Sequence, residues 1–279
     1  MDITPLKNQD SLLDGLTYQQ LSTPTSIIHV IRYDQHLRHL KLILSKTSEA
    51  LQPATSGNHV GDGGTFQQLT ETQPDLRFAI NGTYNHYRKN FYSWHHDDYL
   101  VGDPVGLVKI REHVYNDNPH LKNNGYLQRL PDKTWVISDE VNMTGKYVLS
   151  SRPLLIHDSG TVDLPFYEME AVAVGMVNPP SFLNHGLQRH ARTAVGSAGN
   201  NLLFIIAESQ ETPTSQGLTL PELQQVGEYL KLDSMLNLDG GGSSRFWLKT
   251  EDGDILRNRI APEDEDRILG NMLMLFTTT

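Results

Sequence analysis

The sequence predicts an α+β fold: a single domain with a mixed or antiparallel sheet core, a few helices and long loop insertions. Short apolar segments rich in Val, Ile and Leu recur along the chain and are bounded by Gly, Asp, Asn or Pro, which is typical of β-strands. One amphipathic segment directly precedes a strand that ends in a glycine run. A chain of 279 residues with 38% hydrophobic content is long enough to form such a core.

Six segments have the length and composition of strands, with turn-forming residues at their edges. Alternating polar and apolar residues in the second segment predict a strand with one face in solvent. The six predicted strands cover residues 26–33, 40–45, 76–81, 105–110, 202–207 and 234–238.

One helix follows from its N-terminal signal. Thr219 and Glu222 have the spacing of a capping box, and apolar residues then recur every three or four positions from Leu220 to Leu230. We expect a second helix at about residues 63–71.

No repeat or linker divides the chain. We therefore expect residues 1–25 to be an N-terminal extension and residues 26–279 to form one domain. Within it, residues from about 87 to 153 are rich in Asn, Asp, His, Lys and Gly, which is typical of loops. The sequence predicts a loop-rich insertion there.

The charge balance limits the class of partner. The chain has 23 basic and 33 acidic residues, a formal net charge of −10 at pH 7. A negative protein repels nucleic-acid backbones and anionic membranes, so neither is expected as the main partner, although a local basic pocket could still bind a phosphate. The absence of cysteine excludes disulfides, zinc–thiolate sites and cysteine nucleophiles.

No membrane span is expected, because the longest apolar runs, residues 202–207 and 272–276, fall far short of the roughly 20 residues that cross a bilayer. The N-terminus lacks a basic start followed by an apolar run, so no signal peptide is visible. A soluble chain is expected, and its compartment is left open: cytoplasmic as written, exported if a leader was removed.

Four stretches put small or polar residues at the edges of apolar runs, where loops at the ends of sheets usually form binding sites. We expect their loops to form the functional site. They are AINGTYNHY at residues 79–87, HARTAVGS at 190–197, SQGLTLPEL at 215–223 and NLDGGGSS at 237–244.

The last stretch combines a carboxylate, three glycines and two serines. Glycines can adopt positive φ and turn successive N–H groups towards an anion, while Asp239 would be fixed at the end of a strand. A tight glycine turn capped by the carboxylate is the alternative. The stretch differs from a P-loop, because no lysine precedes the serines. The candidate binding residues are Gly240, Gly241, Gly242, Ser243 and Ser244.

Two other stretches carry candidate side chains. The planar guanidinium of Arg192 suits a phosphate or carboxylate, although a surface or salt-bridged position is commoner for an arginine, and Thr193 follows it. In AINGTYNHY a strand ends at Asn81, followed by either a plain turn or a binding loop. The candidates in that loop are Gly82, Thr83, Tyr84 and His86.

A run of two histidines and two aspartates at residues 95–98 has the composition of a metal cluster. Adjacent loop residues rarely point at one ion, so a metal site is disfavoured there and the metal requirement is left open.

Together and in this order, the four stretches resemble the signature of the phosphodiester glycosidase family. That family has an INGG-aromatic stretch, an RTA-hydrophobic-G stretch, an S-x-G-hydrophobic-T-hydrophobic helix start and LDGGGSS. Here they read AINGTY, ARTAVG, SQGLTL and NLDGGGSS. The resemblance extends from about residue 27 to the C-terminus, with a weak match at 266–271. Thr83 stands where the family has its second glycine.

The resemblance implies hydrolysis of the bond between the anomeric carbon of a sugar and a phosphodiester, releasing the sugar and a phosphomonoester. It implies that Arg192 and the glycine amides hold the phosphate, and that Asn81 and Thr193 bind sugar hydroxyls or phosphate oxygens. Phosphate repels a carboxylate, so Asp239 is assigned to the anomeric carbon, as nucleophile, base or oxocarbenium stabiliser. A Ca²⁺ or Mg²⁺ bridge is the alternative, and no cofactor is otherwise expected. Ser243 as nucleophile would need a base, and no histidine is linked to it in sequence.

Other functions fit the same pocket. The ligand expected from the resemblance is a small or polymeric glycosyl phosphodiester. A phosphodiesterase would cleave a different bond of it, and a glycan-phosphate binding or envelope-assembly protein would bind it without turnover.

Overall fold

The computed structural model describes residues 1–13, 15–46, 73–85, 104–116, 125–164, 186–210, 215–260 and 269–278. These residues contain eighteen β-strands, one complete α-helix and a single 3₁₀ turn at Gly241–Ser243. In chain order the elements are β1 Thr4–Leu13, β2 Leu16–Ser22, β3 Ile27–Asp34, β4 Leu40–Lys46, β5 Leu76–Asn81, β6 Val108–Ile110, β7 His113–Asn116, β8 Gly125–Arg129, β9 Trp135–Ser138, β10 Tyr147–Ser151, β11 Leu154–His157, β12 Gly160–Thr161, β13 Arg192–Ala198, β14 Asn201–Ala207, α1 Leu220–Tyr229, β15 Ser234–Asn237, β16 Phe246–Lys249, β17 Ile255–Arg257 and β18 Asn271–Thr277.

The strands form three sheets in which the paired strands run antiparallel. The largest has the order β1-β2-β3-β14-β13-β15-β11-β12. The second has the order β7-β6-β10-β8-β9, and the third β17-β16-β5-β18-β4. Hairpins join some neighbours, such as β13 and β14, whereas others, such as β3 and β14 or β4 and β18, come together from distant parts of the chain.

The main core lies where the three sheets face one another. It combines apolar side chains of the eight-stranded sheet, such as Phe204, with Phe78 from β5 and Leu149 from β10. Phe78 and Phe204 contact each other directly, with ring centroids 4.8 Å apart. The opposite face of the eight-stranded sheet packs against Leu223 and Val226 of α1 in a second core.

The predicted α+β class is wrong, because the described residues are mostly β-structure. The expected loop character of residues 87–153 accounts for much of the error: strands β6 to β10 lie in that range and form a sheet of their own. Antiparallel strands with one solvated face carry many polar residues, so composition made them look like loops. Residues before 26 also form strands, β1 and β2, and β2 pairs with β3 along its length.

The predicted strands at 26–33, 40–45, 76–81, 202–207 and 234–238 are confirmed as β3, β4, β5, β14 and β15, with ends shifted by at most one residue, and that at 105–110 is shortened to β6. The predicted helix at 63–71 lies outside the described residues.

The capping box of α1 is also confirmed. Thr219 Oγ1 accepts from Glu222 N at 3.2 Å, and Glu222 Oε2 accepts from Thr219 N at 2.9 Å. These bonds satisfy two amides that have no partner within the helix. Among the described residues, no helix is both long and apolar enough to cross a membrane.

Replacing Thr219 with alanine should lower the free energy of unfolding by about 1 kcal/mol, because the Glu222 amide loses its acceptor. Urea denaturation of the variant and of wild type would measure the difference. Thr219→Ser keeps the hydroxyl and is the control; an equal loss in the serine variant would show that the methyl group, and not the cap, stabilises the helix.

Candidate active site

The four predicted stretches meet at one end of the eight-stranded sheet. In the β13–β15 ladder, Ala194 pairs with Asn237, and Leu238 N donates to Thr193 O at 2.8 Å. Continued by two residues, this antiparallel register brings the backbone of Arg192 opposite Asp239. Strand β5 ends beside them, because Asp239 N donates to Gly82 O at 3.1 Å.

The side chain of Asn81 joins these strand ends. Its Oδ1 accepts from Thr193 Oγ1 at 2.9 Å and from Arg245 N at 3.1 Å. Its Nδ2 donates to Asp239 O at 2.8 Å and to Gly82 O at 3.4 Å. All four hydrogen-bonding positions of the amide are therefore used within the protein.

Asn81 is 1% exposed and Thr193 is completely buried. Both were expected to bind the ligand directly. In the structure their polar atoms contact each other and the backbone of the neighbouring strand ends.

Asn271 holds the turn that follows Asn81. Its Oδ1 accepts from Thr83 N at 2.8 Å, its Nδ2 donates to Thr83 O at 3.3 Å, and its backbone carbonyl accepts from Gly82 N at 3.0 Å. A Cβ at Gly82 would overlap Asn271 Oδ1. Thr83, which stands where the family pattern has a glycine, is 3% exposed, and its backbone is held by these hydrogen bonds to Asn271.

Arg192 begins β13 and is 2% exposed. Its Nε donates to Leu218 O and its Nη2 to Gln188 O, both at 2.9 Å. Leu218 belongs to the SQGLTL stretch before α1, so the third predicted stretch orients the guanidinium of the second. Burial, and secondarily the charge of Arg192, lower the pKa of His190 from its usual value.

The glycine run turns sharply rather than forming an open nest. Gly241 has φ +58°, which favours glycine, and its N–H donates to Ala191 O at 2.7 Å. Gly240 N donates to Asp239 Oδ1 at 3.0 Å. Ser243 N and Ser244 N donate to the carbonyls of Gly240 and Gly241. Of this run, the Gly242 N–H alone has no acceptor among the described residues.

Tyr84 and Asn237 form a polar pair beside Asp239. The Tyr84 hydroxyl donates to Arg152 O at 3.3 Å and accepts from Asn237 Nδ2 at 2.9 Å; Asn237 Nδ2 also donates to Arg152 O at 2.9 Å. Burial and then the charge of Asp239 raise the pKa of Tyr84, against the opposing effects of Arg192 and Arg152. Tyr84 is therefore a neutral phenol within the field of both Asp239 and Arg192.

Asn237 was not among the predicted site residues, although it opens the NLDGGGSS stretch. A carbonyl can only accept, so Arg152 O fixes which end of the amide carries Nδ2. Oδ1 then points elsewhere, and it is buried without a hydrogen-bond partner among the described residues. An acceptor in that state calls for a donor from a ligand or solvent.

Arg245 is a second residue that sequence reasoning missed. It is 1% exposed, and its Nη2 donates to Gly242 O at 2.8 Å while its backbone amide bonds to Asn81 Oδ1. Its position directly after the two serines was the available signal. Arg245 fixes the carbonyl side of the glycine turn.

The remaining predicted residues divide into buried and undescribed ones. Ser243 and Ser244 are 1% and 3% exposed, and Ser244 Oγ has no partner among the described residues. His86 and the 95–98 run lie outside the described residues. Within the described part of the chain, no group of three or more His, Asp or Glu side chains is arranged to hold a metal ion.

Comparison with known proteins agrees with the geometry. A family model described as phosphodiester glycosidase matches residues 75–276. No curated protein matches the chain by sequence. A hypothetical protein from Synechocystis is similar in fold, with a TM-score of 0.63 and 12% identity over 100% of this chain; this chain spans 64% of that protein's length. A second similar structure is the zebrafish N-acetylglucosamine-1-phosphodiester α-N-acetylglucosaminidase catalytic domain, auto-inhibited by its pro-peptide. Its TM-score is 0.62 and its sequence identity is 15%, and the match covers 100% of this chain and 83% of that one.

Gly82→Ala should lower the free energy of unfolding by about 1–3 kcal/mol, because the added methyl group displaces the buried Asn271 amide. Chemical denaturation measures the change. Gly160→Ala is the control, since a Cβ there would lie 3.4 Å from His157 O, an ordinary contact. Equal stability of both variants would contradict the tight fit between Gly82 and Asn271.

Proposed function

The chain belongs to the phosphodiester glycosidase family, and we propose that it hydrolyses the bond between a sugar's anomeric carbon and a phosphodiester, releasing sugar and phosphomonoester. The observation that carries the proposal is the juxtaposition of Arg192 and Asp239 at the ends of paired strands. A cation and a carboxylate side by side suit a substrate whose leaving group is anionic and whose reacting carbon becomes positive.

Arg192 is proposed to hold the phosphate. Two backbone carbonyls orient its guanidinium, and the planar fork of this group suits phosphate oxygens. Of the glycine amides, Gly242 N–H is the one proposed to donate to the ligand, since the neighbouring amides already bond within the protein. Departure of a phosphate needs little proton donation, because its second pKa is about 6.

Asp239 is proposed to face the anomeric carbon, as nucleophile, base or oxocarbenium stabiliser. Its backbone carbonyl is held by Asn81, and its Oδ1 accepts from Gly240 N. Asn81 and Thr193 are accordingly proposed as positioning residues, which fix Asp239 without contact with the substrate. Ser243 and Ser244 are proposed to donate their hydroxyl groups to the ligand.

The sugar is proposed to bind on the side of Tyr84 and Asn237. The unpartnered Asn237 Oδ1 offers an acceptor, so the matching group is a sugar hydroxyl or amide N–H. The zebrafish neighbour is named for N-acetylglucosamine-1-phosphodiesters. Such a diester is therefore the first substrate to test.

Asp239→Asn should reduce turnover at least about 1,000-fold, because the amide keeps the shape but loses the charge. The assay follows release of N-acetylglucosamine and the phosphomonoester, with and without a chelator. Asp252→Asn removes an exposed carboxylate elsewhere and is the control for net charge. Near-wild-type rates in the Asp239 variant would remove this residue from the mechanism.

Hydrolysis in oxygen-18 water identifies the bond that is cleaved. Label in the sugar supports the proposal, whereas label in the phosphate would identify a phosphodiesterase. Tight binding of the diester without turnover would instead favour a glycan-phosphate binding protein.

Replacing one sugar hydroxyl with fluorine should slow wild type about tenfold or more at a single ring position, because fluorine cannot donate to Asn237 Oδ1. In the Asn237→Leu variant, the same fluorine replacement should lower the rate of hydrolysis only slightly. A panel of deoxyfluoro diesters measured as kcat/KM in both proteins tests this, and the other ring positions are internal controls. Equal fluorine effects in both proteins at every position would exclude Asn237 as the sugar acceptor.

A further inference from the structure

A second charged site lies at the end of the sheets opposite the candidate active site. It is a cleft of about 1000 Å³ lined by the loop after β3, the β8–β9 hairpin and the start of β10. Strand β10 begins in this cleft at Tyr147 and ends at Ser151, next to Arg152, whose carbonyl belongs to the active site. At ~3.3 Å per strand residue, the two sites are on the order of 15 Å apart.

The cleft is strongly basic in a chain whose net charge is −10. Its lining contains Asp132 as its one carboxylate, and Asp132 Oδ1 already accepts from Thr134 N at 2.9 Å. None of its arginines and lysines forms an ion pair with a carboxylate of the described residues. The cationic lining residues are Arg38, Lys41, Arg111, Arg129, Lys133 and Lys146.

Five of these six cations are exposed and Arg129 is half-buried, while the backbone at two of them has an unusual conformation. Arg111 and Lys133 sit at turns with φ +56° and +76°, a conformation that costs energy for a residue with a side chain and is concentrated at functional positions. Arg129 lies 5.9 Å from the centre of the Tyr147 ring, which stacks on Trp135 at 5.7 Å. Mutual repulsion of these charges is relieved when an anion binds between them.

We propose that this cleft binds a ligand carrying several phosphate groups in a chain, such as a phosphodiester-linked oligomer. Guanidinium forks and ammonium point charges together suit phosphate oxygens. The volume accommodates more than one phosphate-bearing unit. Single-stranded nucleic acid is disfavoured, because Trp135 and Tyr147 are 3% and 4% exposed and offer no surface on which bases could stack.

Isothermal titration calorimetry tests the cleft without any assay of turnover, so the result is independent of the proposed hydrolase activity. The probes are inorganic tripolyphosphate, a glycerol-phosphate hexamer, a single-stranded oligonucleotide and polyglutamate, at low and physiological salt. The cleft variant is Lys41→Glu/Lys146→Glu. Lys231→Glu/Arg257→Glu makes the same change in net charge at exposed residues outside the cleft.

Wild type and the control should bind both phosphate probes alike, and the cleft variant should bind them at least about tenfold more weakly, with the difference shrinking as salt rises. Should the double charge reversal unfold, as judged by thermal denaturation, Lys41→Gln/Lys146→Gln gives the same comparison. The proposal is overturned if wild type binds neither phosphate probe at physiological salt. It is also overturned if the control variant loses as much affinity as the cleft variant. It is equally overturned if the oligonucleotide or polyglutamate binds as tightly as the hexamer.

Discussion

The candidate active site depends on one buried amide. The Asn81 side chain bonds to Thr193 in the eight-stranded sheet and to the backbone amide of Arg245, directly before β16 of another sheet. It also bonds to the carbonyl of Asp239. Because a buried amide loses about 1–3 kcal/mol for each group left unpaired, the three segments are held in one mutual arrangement. The sheets come together at this point through polar contacts rather than through the apolar core.

Hydrogen bonds to the backbone also hold the two charged groups of the candidate site, Arg192 and Asp239. Arg192 is held by carbonyls of the segments before and after it, and Asp239 by amides of Gly240 and its own backbone neighbours. Leu218, whose carbonyl holds Nε of Arg192, is buried, whereas Gln188, whose carbonyl holds Nη2, is exposed. Charges fixed in advance need not reorganise when charge develops on a substrate, which is the main source of electrostatic stabilisation in enzymes.

Sequence reasoning succeeded where a residue's local role decides its structure. The cap at Thr219 and the strand that ends at Asn81 are set by neighbours within a few positions. It failed where partners are distant in sequence. The glycine run resembles an open anion nest in the sequence, but in the structure the Gly241 N–H donates to Ala191 O. The orientation of the Asn237 amide, which leaves Oδ1 without a partner among the described residues, is set by Arg152, 85 residues away. Strands β7 to β10 were likewise predicted as loops, because their partners in the sheet were not recognised from the sequence.

Net charge is a poor guide to which anions this molecule can bind. Screening limits an exposed charge to about 8 Å at physiological ionic strength, so a ligand in either site responds mainly to the groups that line it. Arg152, whose carbonyl belongs to the candidate active site, lies more than that distance from the start of β10 in the basic cleft, on the estimate of ~3.3 Å per residue. The excess of acidic residues therefore disfavours extended contact with polyanions over the whole surface, while each site can still select phosphate through its own cations.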